Sequence, residues 1–254
     1  MPQKNGVLVV TGGSRGIGAA TCLLGAAHGY KVVVNYTSNV EAAELVCAQI
    51  HAKGGEAVAV RGDVANPDDV EHIFKAADRL GTLTGLVNNA GIVAPAMPVV
   101  DMTAERINEI LAVNVTGSFL CAIAAVKRMS TKRGGAGGAI VNIGSAASKL
   151  GGVNTYVDYA SAKGAIDTFT VGLALEVASE GIRVNQVRPG VIDTDIHASG
   201  GDPDRAHRMA PSFPIPRPGT AEEVAKAILW LLSDESSYST GTTVTVSGGR
   251  AIFP

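Results

Sequence analysis

Seven apolar, β-rich runs recur along the chain, at Val7–Val10, Lys31–Asn35, Ala57–Arg61, Gly85–Val87, Ala139–Ile143, Arg183–Val187 and Thr242–Val246, with helical patterns between them. No other feature restricts the fold as much. Strand and helix in strict alternation bury both faces of each strand in a parallel sheet flanked by helices. Several runs, Val7-Leu-Val-Val10 among them, are continuously apolar, as strands covered on both sides should be. The expectation is an α/β, doubly wound parallel sheet of seven strands with helices on both faces. A chain of 254 residues, 46% of them hydrophobic, can bury one such core, so a single domain over 1–254 is expected. Helices are expected near 16–28, 39–53, 67–80, 103–130, 156–180 and 220–233. Asn66-Pro67 reads as a cap followed by proline at the first helical position, and Thr220-Ala-Glu-Glu223 as a capping box. Gly134–Gly138 is expected to end the fourth helix and lead into the fifth strand.

The first apolar run enters Thr11-Gly-Gly-Ser-Arg-Gly-Ile-Gly18 directly, with Gly12, Gly16 and Gly18 spaced G-x-x-x-G-x-G. Such glycines let the backbone turn tightly and approach a pyrophosphate, whose charge the N–H groups and dipole of the following helix stabilise. Taken alone, the turn also fits a plain tight loop. A second constellation lies between Ser145 and Lys163. Tyr159-Ala-Ser-Ala-Lys163 sets a phenol and an ammonium on one helical face, and the ammonium is expected to draw the phenol toward the working pH range. Ser145, at the end of an apolar run, is placed to hydrogen-bond a substrate oxygen.

Thr11-Gly12-x-x-x-Gly16-x-Gly18, Asn88-Asn-Ala-Gly91, Asn114, Ser145, Tyr159-x-x-x-Lys163 and Arg188-Pro-Gly190 occur in the order and at about the intervals of the short-chain dehydrogenase/reductase family, which the chain resembles over nearly its whole length. The resemblance implies a Rossmann-type fold and an NAD(P)-dependent oxidoreductase acting on a small-molecule alcohol or carbonyl substrate. It assigns catalysis to Asn114, Ser145, Tyr159 and Lys163. Tyr159 would exchange the proton, Ser145 stabilise the oxygen, Lys163 hold the tyrosine and the nicotinamide ribose, and Asn114 a water leading to solvent. Ser145 precedes Tyr159 by one residue more than in many members. Ser148 and Tyr156 therefore stand as neighbouring alternatives, although Ala160, not lysine, follows Tyr156 by four.

Cofactor contacts carried over by the resemblance are Gly12, Ser14, Arg15, Gly16, Ile17 and Gly18 in the turn, and Asn35, Thr37 and Ser38 after the second strand. Asp63, Val64, Asn89, Ala90 and Gly91 follow, then Tyr159 and Lys163, and finally Pro189, Gly190, Ile192 and Thr194. Asp63 is also suited to a turn or cap. No carboxylate stands in Asn35-Tyr-Thr-Ser38, where an NAD-binding unit offers one to the ribose 2′-hydroxyl. A 2′-phosphate meets no repulsion there, and Arg15, with Thr37 or Ser38, is suited to receive it. NADP(H) is thus preferred; the competing reading is a solvated Arg15 and dual specificity with NAD(H). The irregular, proline-rich stretch at 190–219 corresponds to the family's substrate lid, against the alternative of a passive excursion with a short helix inside it.

A formal charge of −2 leaves no electrostatic footprint for nucleic acid, no run reads as long enough to cross a bilayer, and the first strand begins almost at once, so a cytoplasmic protein is expected. Cys22, Cys47 and Cys121 are far apart and read as reduced, buried residues; the five histidines form no ligand set and no metal site is expected. Asp193 and Asp195 read as solvated loop acids. Lys127, Arg128, Lys132 and Arg133 complement a helix dipole or, alternatively, dock an acidic carrier. Apolar faces in 111–126 and 165–178 suit the homotetramer or homodimer that the resemblance implies. Two functions compete: the oxidoreductase, either a sugar or polyol dehydrogenase or a 3-oxoacyl thioester reductase, and a non-catalytic dinucleotide-binding redox sensor.

Overall fold

The computed structural model describes residues 6–251, so the approach to the first strand at 1–5 and the end of the chain at 252–254 lie outside the described residues. In chain order the elements are β1 (Val7–Val10), α1 (Gly16–Ala27), β2 (Lys31–Tyr36), α2 (Val40–Ala52), β3 (Ala57–Arg61), α3 (Pro67–Leu80), β4 (Leu83–Asn88), α4 (Ala104–Leu111), α5 (Gly117–Met129) and β5 (Gly138–Ile143). They continue with α6 (Ala147–Leu150), α7 (Val157–Val177), β6 (Ile182–Pro189), α8 (Ile196–Ser199), α9 (Arg205–Met209), α10 (Ala221–Leu232) and β7 (Thr243–Val246). All seven strands form one parallel sheet in the order β3-β2-β1-β4-β5-β6-β7.

The apolar continuity of β1 has a direct structural cause. Leu8 and Val10 face a core built with Val32, Val34, Ile228 and Leu231, whereas Val7 and Val9 face a second core with Leu86, Ile140 and Phe74. All four β1 side chains are fully buried, and each contributes roughly 1.5–3 kcal/mol by leaving water. The strand order reverses beside β1, where β2 lies on one side and β4 on the other. At such a switch point the loops leaving the strand ends diverge and open a crevice.

Both helix-start expectations hold. Asn66 accepts hydrogen bonds from the Asp68 and Asp69 amides ahead of α3. Thr220 accepts from the Glu223 amide at 3.2 Å while Glu223 accepts from the Thr220 amide at 2.8 Å. The expected helix 103–130 is interrupted: Ala112–Thr116 adopts a π-helical turn between α4 and α5. Ala104–Met129 nonetheless forms one helical stretch of 26 residues that is long and apolar enough to cross a membrane, contrary to the expectation from the sequence. Runs of Ala, Val, Gly and Cys make it apolar, and it packs against α3, β4 and α7. The excursion at 190–219 contains two short helices, α8 and α9, over a small core of Val191, Ala206, Ala210 and Phe213. Cys22, Cys47 and Cys121 are buried free thiols, and burial pushes Cys121 up to about 12.

Candidate active site

The C-terminal ends of β4 and β5, the π-helical turn and the first turns of α7 converge on one point. Ser145 follows β5; its hydroxyl accepts from the Ala147 amide at 3.1 Å, and it lies close enough to the Tyr159 phenol to lower that group's pKa. The additional residue before Tyr159 is absorbed by α6 and by three residues of left-handed backbone, Gly151, Gly152 and Asn154. Ser148 turns away, bonding Asp167 at 2.9 Å and the Ser145 carbonyl at 3.0 Å. Tyr156 lies under the guanidinium of Arg205. Ser145 and Tyr159, not these neighbours, are the pair brought together.

Lys163, one turn beyond Tyr159, is buried; its Nζ donates to the Ile143 carbonyl at 2.8 Å and stands 5.6 Å from the Tyr159 ring centroid. Burial pushes the ammonium down to about 8, opposed by the Asp167 carboxylate. Burial likewise holds the Tyr159 phenol above its usual value, against smaller opposing effects of Ser145 and the Arg205 charge. The expectation that the ammonium draws this phenol toward neutrality is therefore not met in the free protein. Desolvation of the phenolate outweighs attraction to an ammonium already bonded to a carbonyl.

Asn114 sits in the π-helical turn, fully buried, donating to the carbonyls of Ile110 and Ile92 at 2.9 and 3.0 Å. Its Oδ1 has no protein partner. A Cβ built at Gly91 would lie 2.7 Å from that oxygen and 3.5 Å from Lys163 Nζ. A buried acceptor and a buried ammonium thus share a small polar space beside Gly91, a setting in which water is normally held.

The turn before α1 fits a dinucleotide. Gly16, half-buried, has φ +53°, which glycine adopts without strain, and a Cβ at buried Gly18 would meet the Gly12 carbonyl at 2.2 Å, so glycine there lets α1 pack closely on the turn. No side chain caps α1, and its first turn carries no acid, which leaves a positive helix end for an anion. Arg15 is exposed, Ser14 and Ile17 are half-buried, and Thr194 reaches Gly16 from the 190–219 excursion, its Cγ2 3.2 Å from where a Cβ would be.

Asn35 departs from its expected place. It is 1% exposed, its Oδ1 accepts from the Gly12 amide at 3.1 Å, and its Nδ2 donates to the carbonyls of Gly62 and Val60. The side chain ties the glycine turn to β3 and has no edge left for a ribose. The register of β2 explains the shift: the strand runs on through Tyr36, so Thr37 and Ser38 are the exposed residues at its end. Beside them is a guanidinium that sequence reading missed, for Arg61 Nε donates to the Thr37 carbonyl at 3.1 Å. The pairing of Tyr36 with Arg61 across β2 and β3 creates this proximity.

Asp63 is exposed and accepts from the Ala65 amide at 2.9 Å, the turn role; Val64 is buried against Gly117. Asn89 Nδ2 donates to the carbonyls of Thr11 and Gly12, and the Asn89 and Ala90 amides donate to the Thr11 hydroxyl, so this segment braces the glycine turn from behind. Pro189 ends β6, the Gly190 amide donates to Val246 at 2.8 Å, and Ile192 is buried against the core and bridges Gly219. His197 is buried, its Nε2 2.9 Å from the Ile192 carbonyl, a structural histidine. Arg128 pairs with Asp78 and Glu71 and covers Phe74, so the basic cluster is partly spent within the fold.

Sequence reading also missed Asp167, which joins β6 to the serine loop. Its carboxylate accepts from Gln186 Nε2 at 2.6 Å, Arg188 Nη2 at 2.9 Å and the Ser148 hydroxyl at 2.9 Å. The i+4 spacing from Lys163 was the available signal.

A family model described as Enoyl-(Acyl carrier protein) reductase matches residues 12–251. The chain is 54% identical over 245 residues to the "Uncharacterized oxidoreductase YgfF" of Escherichia coli (strain K12), covering 96% of this chain and 99% of that one. It is 41% identical over 249 residues to a Synechocystis sp. protein named 3-oxoacyl-(acyl-carrier-protein) reductase, covering 97% of each. A solved short-chain type dehydrogenase/reductase from Mycobacterium marinum superposes with a TM-score of 0.89 at 34% identity, covering 96% of this chain and 94% of that one.

Proposed function

The chain belongs to the short-chain dehydrogenase/reductase family, and from this we propose an NADP(H)-preferring oxidoreductase that interconverts an alcohol and a carbonyl with Tyr159 as general acid and base. The observation that carries the reading is the constellation of Ser145, near enough to lower the Tyr159 phenol, with Lys163 buried one turn on, its Nζ 5.6 Å from the Tyr159 ring centroid. The dinucleotide supplies or accepts the hydride. In reduction, the Tyr159 hydroxyl gives its proton to the substrate oxygen while Ser145 donates a hydrogen bond to the same oxygen as negative charge grows on it. Burial keeps Tyr159 protonated in the free protein, which suits the acid role. Lys163 holds the proton balance behind the phenol, and the unpartnered Asn114 oxygen suits a water that returns the proton from solvent.

Preference for NADP(H) over NAD(H) is supported by the absence of a carboxylate in Tyr36–Ser38, by Arg61 at that strand end and by the exposed Arg15 in the glycine turn. The excursion at 190–219 is the lid of this reading, since Thr194 reaches the glycine turn and Arg205 the tyrosine. Exposed apolar side chains on α5 and α7, including Phe119, Ile123, Val171 and Leu175, support a homotetramer or homodimer, which sedimentation would test.

The deciding experiment follows NADPH and NADH oxidation with ketones, sugars and 3-oxoacyl thioesters, comparing wild type with Tyr159→Phe. The variant should bind NADPH and lose at least about a hundredfold in kcat/KM. A near-wild-type rate sinks the assignment. The thioesters are included because the Synechocystis relative is named for one.

A further inference from the structure

Two guanidiniums beside the small core of the 190–219 excursion have no acidic partner among the described residues: Arg205 follows Asp204 at the start of α9, next to Ala206 of that core, and Arg250 lies over its Phe213. Arg205 Cζ lies 5.2 Å from the centroid of Tyr156, the residue that leads into α7 one turn before Tyr159. Arg250 Cζ lies 5.1 Å from the centroid of Phe213, which closes the small core of the lid. Both arginines are half-buried. Asp202 pairs with Arg208, Asp193 with His207 and Glu223 with Arg217, and Asp204, next to Arg205 in the chain, is exposed and forms no ion pair with it. Among the described residues, no carboxylate pairs with Arg205 or Arg250.

Phe213, under Arg250, packs in the same small core as Ala206, the residue after Arg205, so both guanidiniums flank one cluster. Burial, and after it the Arg205 charge, lowers Arg250 from its ordinary value, and the charge of Arg205 also reaches Tyr159. Two like charges partly withdrawn from water and left without a counterion destabilise the free protein. An oxyanion between them would relieve both effects. A guanidinium lying over an aromatic ring uses its flat face, which leaves the N–H fork at its edge open for bidentate pairing with a carboxylate or phosphate.

We propose that the substrate carries an oxyanion, a carboxylate or a phosphate, which Arg205 and Arg250 bind while its carbonyl meets Ser145 and Tyr159. This rests on the oxidoreductase reading of the same cleft. It assigns a charge to the substrate end that faces the lid and makes α9 a specificity element.

The test compares each anionic probe with a neutral one carrying the same carbonyl: 4-oxopentanoate with its methyl ester for the carboxylate, and acetoacetyl-coenzyme A with acetoacetyl-N-acetylcysteamine for the phosphate. Wild type should favour the anion of at least one pair by about tenfold or more in kcat/KM, chiefly through KM. That ratio should fall toward one in Arg205→Gln and in Arg250→Gln, and Arg205→Lys should recover part of it. The pair that shows the preference identifies the source of the oxyanion. No preference in wild type for either pair, or a ratio left unchanged by both glutamine variants, overturns the proposal. If none of the four compounds is turned over, calorimetric titration of the NADPH-loaded protein with 4-oxopentanoate and acetoacetyl-coenzyme A separates the two claims. Binding lost in Arg205→Gln then upholds the anion site while the reductase reading fails, and absence of binding to wild type overturns the anion site.

Discussion

Lys163 Nζ is hydrogen-bonded to the carbonyl of Ile143 at 2.8 Å, so the ammonium of α7 is anchored to the last residue of β5, two positions before Ser145. The helix that carries the tyrosine and the strand that delivers the serine are locked by one charge-assisted bond. Such a bond contributes roughly 1.5–3 kcal/mol. Lys163→Met is expected to lower kcat/KM by about a hundredfold or more, because it removes both the anchor and the charge behind the phenol; steady-state rates with any accepted carbonyl check this.

The same lysine gives a pH signature. Burial lowers its folded pKa to about 8, below the ordinary lysine value of 10.5, so between these values the unfolded chain binds more protons than the folded one. Stability therefore rises with pH across that window, by up to roughly 1.4 kcal/mol per pH unit. The burial penalty is fully present below pH 8 and fades as pH approaches 10.5. Urea unfolding at pH 7.5, 8.5 and 9.5 should show wild type gaining on Lys163→Met at each step. Parallel curves for the two proteins would refute a depressed lysine.

Asn35→Asp should act on stability before it acts on cofactor choice. A carboxylate there faces the carbonyls of Gly62 and Val60, which the amide now satisfies, at a loss of roughly 2–4 kcal/mol. By contrast, Thr37→Asp, at an exposed position, should keep the fold and weaken NADPH relative to NADH. Thermal melts together with the ratio of the two dissociation constants distinguish these outcomes.

Arg15→Ala and Arg61→Ala should each reduce the NADPH/NADH affinity ratio by about fivefold or more, the effect of one charge-assisted contact to a phosphate. A ratio unchanged in both variants would remove the proposed role of the two arginines.

Asp167→Ala should cost about 3 kcal/mol, since it leaves Arg188, itself only 12% exposed, without its carboxylate and frees Gln186 and Ser148. Asp167→Asn should recover part of the loss. The serine loop should loosen with it, visible as faster amide exchange at 145–150; unchanged exchange there would confine Asp167 to a purely packing role.

Much of the fold was legible because its signals are local. Val7–Val10 had to be a strand covered on both faces, Thr220 and Glu223 had to start a helix, and the glycines after β1 had to mark a close approach. Tyr159 and Lys163 were readable as a pair because a helix repeats its face every three to four residues. Less was legible where a residue's role depends on a neighbouring strand. Asn35 looked like the end of a strand and proved to be its buried interior, and Arg61 became a candidate cofactor residue only through the pairing of β2 with β3.

The sequence by itself determined the alternation of strands and helices, the glycine turn, the spacing of tyrosine and lysine and, through them, the family. Hydrophobic period and glycine geometry are properties of a short stretch of chain. Tertiary structure alone decided that Ser145 rather than Ser148 lies by Tyr159, that burial rather than Lys163 dominates the free phenol, and that Arg205 lies over Tyr156 and Arg250 over Phe213. Desolvation and charge proximity depend on everything packed around a group, and residues at the end of β5 and on α7 come together only once the sheet has closed.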